Sequence, residues 1–197
     1  MSRLFVLGIM GPSCSGKTTI CERLAQSLSA AVIQMDWYYY DTSTFKTKHG
    51  YPNAEEPSCI NFALLASHIR ALQAGHEIVF TTVRKREHVH IRPAPVIVVE
   101  GFLLFCDADV RDMMDLRVFI DISEEEVVRR KIARARSFLS CNEQYVRLLT
   151  VGEYRVHGLP MRTYAQMLLD GLLDPEENAR KIAEAVKQKI ADDHSRG

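Results

Sequence analysis

The chain of 197 residues carries 25 Lys plus Arg and 25 Asp plus Glu, so its formal net charge is zero. That balance argues against non-specific binding to nucleic acid or to a membrane surface, and no apolar run approaches the roughly 20 residues of a membrane span. The five cysteines (14, 21, 59, 106 and 141) show no C-x-x-C spacing, which fits reduced thiols in the cytoplasm better than disulfides or zinc.

In chain order, the apolar run Leu4 to Ile9 reads as a buried strand. It begins within four residues of the N-terminus, where no signal peptide is expected. It leads into GPSCSGKT, Gly11 to Thr18, which fits G-x-x-x-x-G-K-[ST] at every fixed position, and then into KTTICERLAQSL, which reads as a helix. Strand, tight turn and helix N-terminus together make an anion site, because free backbone N–H groups and the positive end of the helix dipole point at one spot. Gly11 and Gly16 let the backbone curl round a polyphosphate, Lys17 is expected to stand exposed and reach the β/γ-phosphates, and the Thr18 hydroxyl is a ligand for Mg²⁺. Ser13, Cys14, Ser15 and Thr19 complete the expected ATP-binding set, with Cys14 read as a small filler. The motif predicts binding of a nucleoside triphosphate.

Beyond it, AAVIQMD (30–36) reads as a short buried strand ending in an acid, followed by the aromatic run Trp37 to Tyr40 and a polar, loop-like stretch to residue 60. Asn61 makes an N-cap for FALLASHIRALQAG, whose Phe62, Leu65, Ile69 and Leu72 fall at helical spacing. EIVFTTV (77–83), the turn RKRE and HVHIR suggest a hairpin. VIVVE (96–100) and RVFIDI (117–122) are continuous apolar runs of the kind buried on both faces of a parallel sheet. Ser123 with Glu126 forms a capping box for EEEVVRRKIARAR. Residues 137–160 show weak periodicity and read as a mobile segment. TYAQMLL (163–169) is expected to be the last strand, its charge-free pattern leaving a helix as the alternative, and Asp174 caps PEENARKIAEAVKQKI with Pro175 at its first position. Strands alternating with helices after a phosphate loop predict one α/β domain over 1–197. Its fold is the P-loop NTPase type, a parallel sheet flanked by helices with a small lid at about 130–155 and ligands at the strands' carboxyl ends.

Phosphoryl transfer asks the protein for charge neutralisation, a held metal and an oriented nucleophile. Asp36 and Glu100 both follow apolar runs whose ends open onto the phosphate loop, where they can hold the Mg²⁺ shell or accept the proton of an attacking hydroxyl. Arg129, Arg130, Lys131, Arg134 and Arg136 make a cationic helix, with Arg130 and Arg134 one turn apart on a shared face. Closed over ATP, such a helix stabilises charge on the transferring group; the plainer reading pairs it with Glu124, Glu125 and Glu126. The aromatic run, Tyr39 in particular, offers a wall for a base, although core packing accounts for part of it. His88 and His90 lack further metal ligands at useful spacing.

The phosphate loop, M-D-W-Y-Y after the second strand, VIVVEGFLLF at 96–105 and the arginine helix after RVFIDI together resemble the uridine kinase–like nucleoside kinases. Within that group EGFLLF, the short length and LLDGLLDPEEN resemble the nicotinamide riboside kinases most closely. The resemblance implies an ATP-dependent kinase acting on the 5′-hydroxyl of a ribonucleoside, nicotinamide riboside first and uridine or cytidine second. By it, Lys17 and Thr18 serve ATP and Mg²⁺, Asp36 is the base, Glu100 assists the metal and sugar, Arg134 is a lid arginine, and the loop near Asp170–Asp174 lies by the adenine. Uridine kinases carry a Tyr-Asp pair and a histidine in the hairpin before the EG strand, whereas this chain reads FTTVRKREHVHIR. For the acid facing the ribose it offers Glu55, Glu56 and Asn61. The expected partners are ATP and a ribonucleoside, with no nucleic acid and no membrane, in a monomer or small homo-oligomer. A non-catalytic nucleotide-binding regulator is the alternative from another class. A GTPase switch is set aside because no N-K-x-D signature is present.

Overall fold

The structure, a computed structural model, describes residues 4–134 and 142–195. In chain order these form β1 (Phe5–Met10), α1 (Lys17–Leu28), β2 (Ala31–Gln34), β3 (Thr47–Lys48), β4 (Tyr51–Pro52), α2 (Phe62–Gln73), β5 (Ile78–Thr81), β6 (His88–Ile91), β7 (Val96–Gly101), α3 (Ala108–Asp112), β8 (Leu116–Asp121) and α4 (Glu124–Arg134). A helical stretch over 143–157, β9 (Met167–Asp170) and a terminal helix (Pro175–His194) follow. Arg136 and Cys141 lie outside the described residues.

Five strands form one parallel sheet in the order β2-β7-β1-β8-β9. Parallel strands covered on both faces must be apolar at every position rather than at alternate ones, and β1 and β7 are buried throughout. Their side chains divide by the two-residue period of a strand. Phe5, Leu7, Ile9, Val96 and Val98 meet Ile20 and Leu24 of α1 and Ile182 and Val186 of the terminal helix. Val6, Met10, Ile97 and Val99 face the other way, onto Leu65, Ile69 and Leu72 of α2. The predicted P-loop architecture, a parallel sheet flanked by helices, is thus present. The hairpin β5–β6 stands apart as its own two-stranded sheet. Among the described residues no helix is long and apolar enough to cross a membrane.

The caps fall where local chemistry places them. Asn61 Oδ1 accepts from the Leu64 N–H at 3.0 Å, Ser123 Oγ from the Glu126 N–H at 3.2 Å and Asp174 Oδ1 from the Glu176 N–H at 2.9 Å. Four expectations change. The second strand stops at Gln34, and Met35–Tyr38 is a 3₁₀ turn, so Asp36 lies past the strand end. Within 41–60, a small antiparallel pair, β3 and β4, turns at His49 and Gly50. Residues 159–164 form a 3₁₀ helix, and the last strand begins only at Met167. Finally, 143–157 is no loose segment. It is helical, with Tyr145, Val146, Leu149, Val151, Thr150, Glu153 and Tyr154 buried. Its middle, Val146–Val151, is a π-helix. The wider π turn moves buried positions off the 3.6-residue period, and two buried positions are polar, so the apolar pattern looked weak.

Candidate active site

The loop Gly11–Lys17 carries the chain from β1 into α1. Gly16 caps α1 with φ 94° and no side-chain capping bond, and no acidic residue stands in the first turn. Among the described residues no side chain caps the helix's first N–H groups, which leaves them open to an anion. A side chain at Gly11 would meet a backbone carbonyl, since an added Cβ would lie 2.3 Å from the Ile120 oxygen. The expectation that Lys17 stands exposed is corrected. It is only 7% exposed, and its Nζ donates to the carbonyls of Gly11 at 2.9 Å and Pro12 at 2.8 Å, within 3.5 Å of Ser15 Oγ. Burial lowers its pKa, against the charges of Glu100 and Asp36, which raise it. The loop's own oxygens hold the cation in place.

The two acids converge on that cation from neighbouring strands. Gln34 stands opposite Glu100 in the β2–β7 register, so Asp36, two residues further on, lies beyond the carboxyl ends of both. Glu100 is buried and its Oε1 accepts from Thr18 Oγ1 at 3.0 Å. Burial pushes its carboxyl up from the usual range; Lys17 opposes this, Asp36 adds to it, and the Thr18 hydrogen bond and Arg134 oppose it again. Thr18, Asp36 and Glu100 supply only hard oxygen donors. Among the described residues there is no group of three or more His, Cys, Asp or Glu fit to hold a metal. A hydroxyl with one or two carboxylates is what Mg²⁺ takes when phosphate oxygens and water complete its shell, so the donor set fits that ion.

The cationic helix reaches the same place. Arg130 Nη1 donates to the carbonyls of Cys14 at 3.1 Å and Gly171 at 3.2 Å, tying α4 to the phosphate loop and to the turn after β9. Arg134 Nη1 stands 4.0 Å from Cys14 Sγ. Arg129 grips Glu126 at 2.6 and 2.7 Å, the plain surface ion pair, and Arg130 Nε donates to the same carboxylate at 2.5 Å, so Arg130 serves both Glu126 and the phosphate loop. Ser13 accepts from Lys131 Nζ at 3.3 Å, and the same amine lies 3.6 Å from Glu55 Oε1. Thr19 is exposed on α1, while Ser15 is buried beneath the loop.

On the acceptor side the candidates divide. Glu55 is buried, and its Oε1 accepts from Thr150 Oγ1 at 3.0 Å. Asn61 has committed its oxygen to the α2 cap. Tyr39 is buried rather than presented as an open plate: its hydroxyl donates to the Ala54 carbonyl at 3.0 Å and the Arg84 guanidinium lies 4.8 Å over its ring. Tyr38 is also interior, against His68 and Phe80. His90 stands on the exposed hairpin with Nε2 at 2.6 Å from Glu77 Oε2. Lys131, read in the sequence only as part of the cationic helix, reaches Glu55 here, while Thr150 and Glu153, which gather around Glu55 and its loop, carry no motif.

The profile of the phosphoribulokinase / uridine kinase family matches residues 6–147. The chain belongs to that family. It is an ATP-dependent kinase. It is 35% identical over 159 residues to the uridine kinase of Proteus mirabilis (strain HI4320), covering 71% of this chain and 75% of that one. The uridine kinase of Chloroflexus aurantiacus is 32% identical over 182 residues, covering 84% of this chain and 86% of that one. Among solved structures, phosphoribulokinase from Rhodobacter spheroides superposes with a TM-score of 0.61 at 11% identity, over 88% of this chain and 74% of that one, a likeness of fold. The family match spans the phosphate loop, both acids and α4, which are the parts that converge in this kinase.

Proposed function

We propose that this kinase transfers the γ-phosphoryl group of ATP to the 5′-hydroxyl of a ribonucleoside, with uridine or cytidine ahead of nicotinamide riboside. The reaction rests above all on Asp36 and Glu100 flanking Lys17 at the carboxyl ends of adjacent strands. The pyrimidine acceptor rests on relatives that are uridine kinases at about a third identity. Nicotinamide riboside keeps the support of EGFLLF and LLDGLLDPEEN. A nucleotide-binding regulator would have no use for a carboxylate beside the phosphate loop, so the acids favour an enzyme.

Each residue's part follows from its surroundings. Gly16 and the first turn of α1 bind phosphate oxygens, Lys17 carries positive charge to them, and Arg130 and Arg134 add theirs beside Cys14 of the loop. Thr18 and Glu100, with Asp36 beside them, would hold Mg²⁺, which when bound neutralises charge on the phosphates. Asp36, exposed past the strand end, is free to accept the proton of the acceptor's hydroxyl. Glu55 serves the acceptor sugar. The lid read over about 130–155, of which 130–134 and 142–155 are described, excludes water once nucleotide is bound.

Two measurements test this reading. A coupled assay across a nucleoside panel should give a kcat/KM for uridine or cytidine at least about tenfold above that for nicotinamide riboside, the scale on which a pocket separates related groups. The reverse order reassigns the acceptor and keeps the reaction; turnover with no nucleoside, alongside normal Mg·ATP binding, favours the regulator. Hydrogen exchange with and without a non-hydrolysable ATP analogue should show added protection within 130–134 and 142–155. Equal protection in both states removes the lid from the mechanism.

A further inference from the structure

One buried carboxylate joins the loop ahead of α2 to the helical stretch 143–157. Glu153 is 3% exposed. Its Oε1 accepts from Lys48 Nζ, its Oε2 from Asn53 Nδ2 at 3.3 Å, and His157 Nε2 stands 3.6 Å from Oε2. Burial pushes this carboxyl up, but the hydrogen bonds from Lys48 and Asn53 and the charges of Lys48 and His157 outweigh it and hold the group below the usual range. Asn53 is wholly buried and organises the loop around itself. Its N–H donates to the Lys46 carbonyl at 2.8 Å, its Oδ1 accepts from the Glu55 N–H at 3.0 Å, its Nδ2 also donates to Glu56 at 2.8 Å, and its carbonyl accepts from Cys59 Sγ at 3.1 Å.

The same helical stretch grips the loop at two more points. Thr150, one turn before Glu153, donates to the Glu55 carboxylate at 3.0 Å. Asn142 donates to the Tyr51 hydroxyl at 3.2 Å, where the Tyr51 and Tyr145 rings meet edge-on at 5.4 Å. A buried carboxylate is tolerated only when paired and hydrogen-bonded. Two of the three groups facing Glu153, Lys48 and Asn53, come from the other segment. Undocking the helical stretch would therefore take both Lys48 and Asn53 from Glu153, leaving it His157 alone, and would cost Asn53 one of the two carboxylates its Nδ2 bonds.

We infer that Glu153 is a positioning residue for the acceptor: it fixes Asn53, and through it Glu55, so that the acceptor loop takes its working shape only while the stretch 143–157 is docked. This rests on the reading of Glu55 and its loop as the acceptor side. The shape of the acceptor loop is thereby coupled to the docking of 143–157, with Glu153 the buried link between them.

The test compares Glu153→Ala, Glu153→Gln and Lys48→Gln with wild type. Glu153→Ala should raise the acceptor KM by about tenfold, the usual effect of stranding a buried hydrogen-bond partner, with the KM for Mg·ATP nearly unchanged. Glu153→Gln keeps an oxygen for Asn53 and loses only the charge toward Lys48, so its effect should be smaller. Lys48→Gln should match it, and the double variant should be no worse than either single one, because both remove the same pair. If Glu153→Ala fails to fold, the Gln variants decide alone. Amide exchange over 47–56 should rise in Glu153→Gln whatever the turnover. A fall in thermal stability alone, or acceptor and ATP KM rising in parallel, overturns the inference, as does unchanged exchange. Absence of nucleoside turnover by the wild type counts against the proposed reaction instead, and the exchange measurement still decides the coupling.

Discussion

Lys17→Ala should lower kcat by ~10²–10³, the loss that follows removal of one preorganised electrostatic donor, or about 3–4 kcal/mol of transition-state stabilisation. The structure adds a second expectation. Lys17 donates to the carbonyls of Gly11 and Pro12, so its removal takes a bond from each, leaving Pro12 with the Ser15 N–H, and loosens the phosphate loop itself. Nucleotide affinity should fall along with turnover, and thermal stability should drop by a small amount. Lys17→Arg would keep charge but not fit, since its planar fork cannot replace a compact ammonium in a space bounded by Gly11, Pro12 and Ser15. The measurement is steady-state kinetics with calorimetric ATP binding on each variant. A Lys17→Ala enzyme that keeps more than about a tenth of wild-type turnover would contradict a phosphate-directed role of this size.

Asp36→Asn should cut kcat by ~10²–10⁴, the range for loss of a general base, while Mg·ATP affinity stays close to wild type. A sugar hydroxyl is a poor nucleophile near neutral pH, and Asp36, unlike Glu100, is exposed to an arriving acceptor. Glu100→Gln should act differently. It is buried against Thr18, so the amide keeps a hydrogen-bonding oxygen but loses the charge that a divalent cation needs, and the Mg²⁺ concentration for half-maximal rate should rise. Rate against Mg²⁺, with ATP affinity by calorimetry, separates the two roles. Loss of nucleotide binding in Asp36→Asn, with loss of turnover alone in Glu100→Gln, would show the two assignments to be reversed.

The two acids also show how far contiguous sequence reaches. Asp36 and Glu100 could be singled out because each closes an apolar run, and such runs in a parallel sheet end on the ligand side. That they address the same cation was decided by strand order, which places β2 beside β7 and β7 beside β1. Hydrophobic pattern does not encode that order. Tyr39 shows the opposite case: its place after the strand suggested a wall for a base, but the 3₁₀ turn swings it inward to bond Ala54.

By itself the sequence determined what depends on neighbours in the chain: the phosphate loop between strand and helix, the both-faces-buried strands, and the caps at Asn61, Ser123 and Asp174. These follow from periodicity and from side chains that bond the backbone two or three residues away. Only the tertiary structure decided the burial of Lys17, the helical character of 143–157 and the grouping of Glu55 with Lys131 and Thr150. Thr150 and Glu55 are 95 positions apart, and Lys131 contacts Glu55 across a similar gap. Pairs so distant are chosen by which elements pack together and by the need of a buried carboxylate for donors. No local pattern records that choice, and a π turn shifts the one periodicity that would have revealed the helix carrying Thr150.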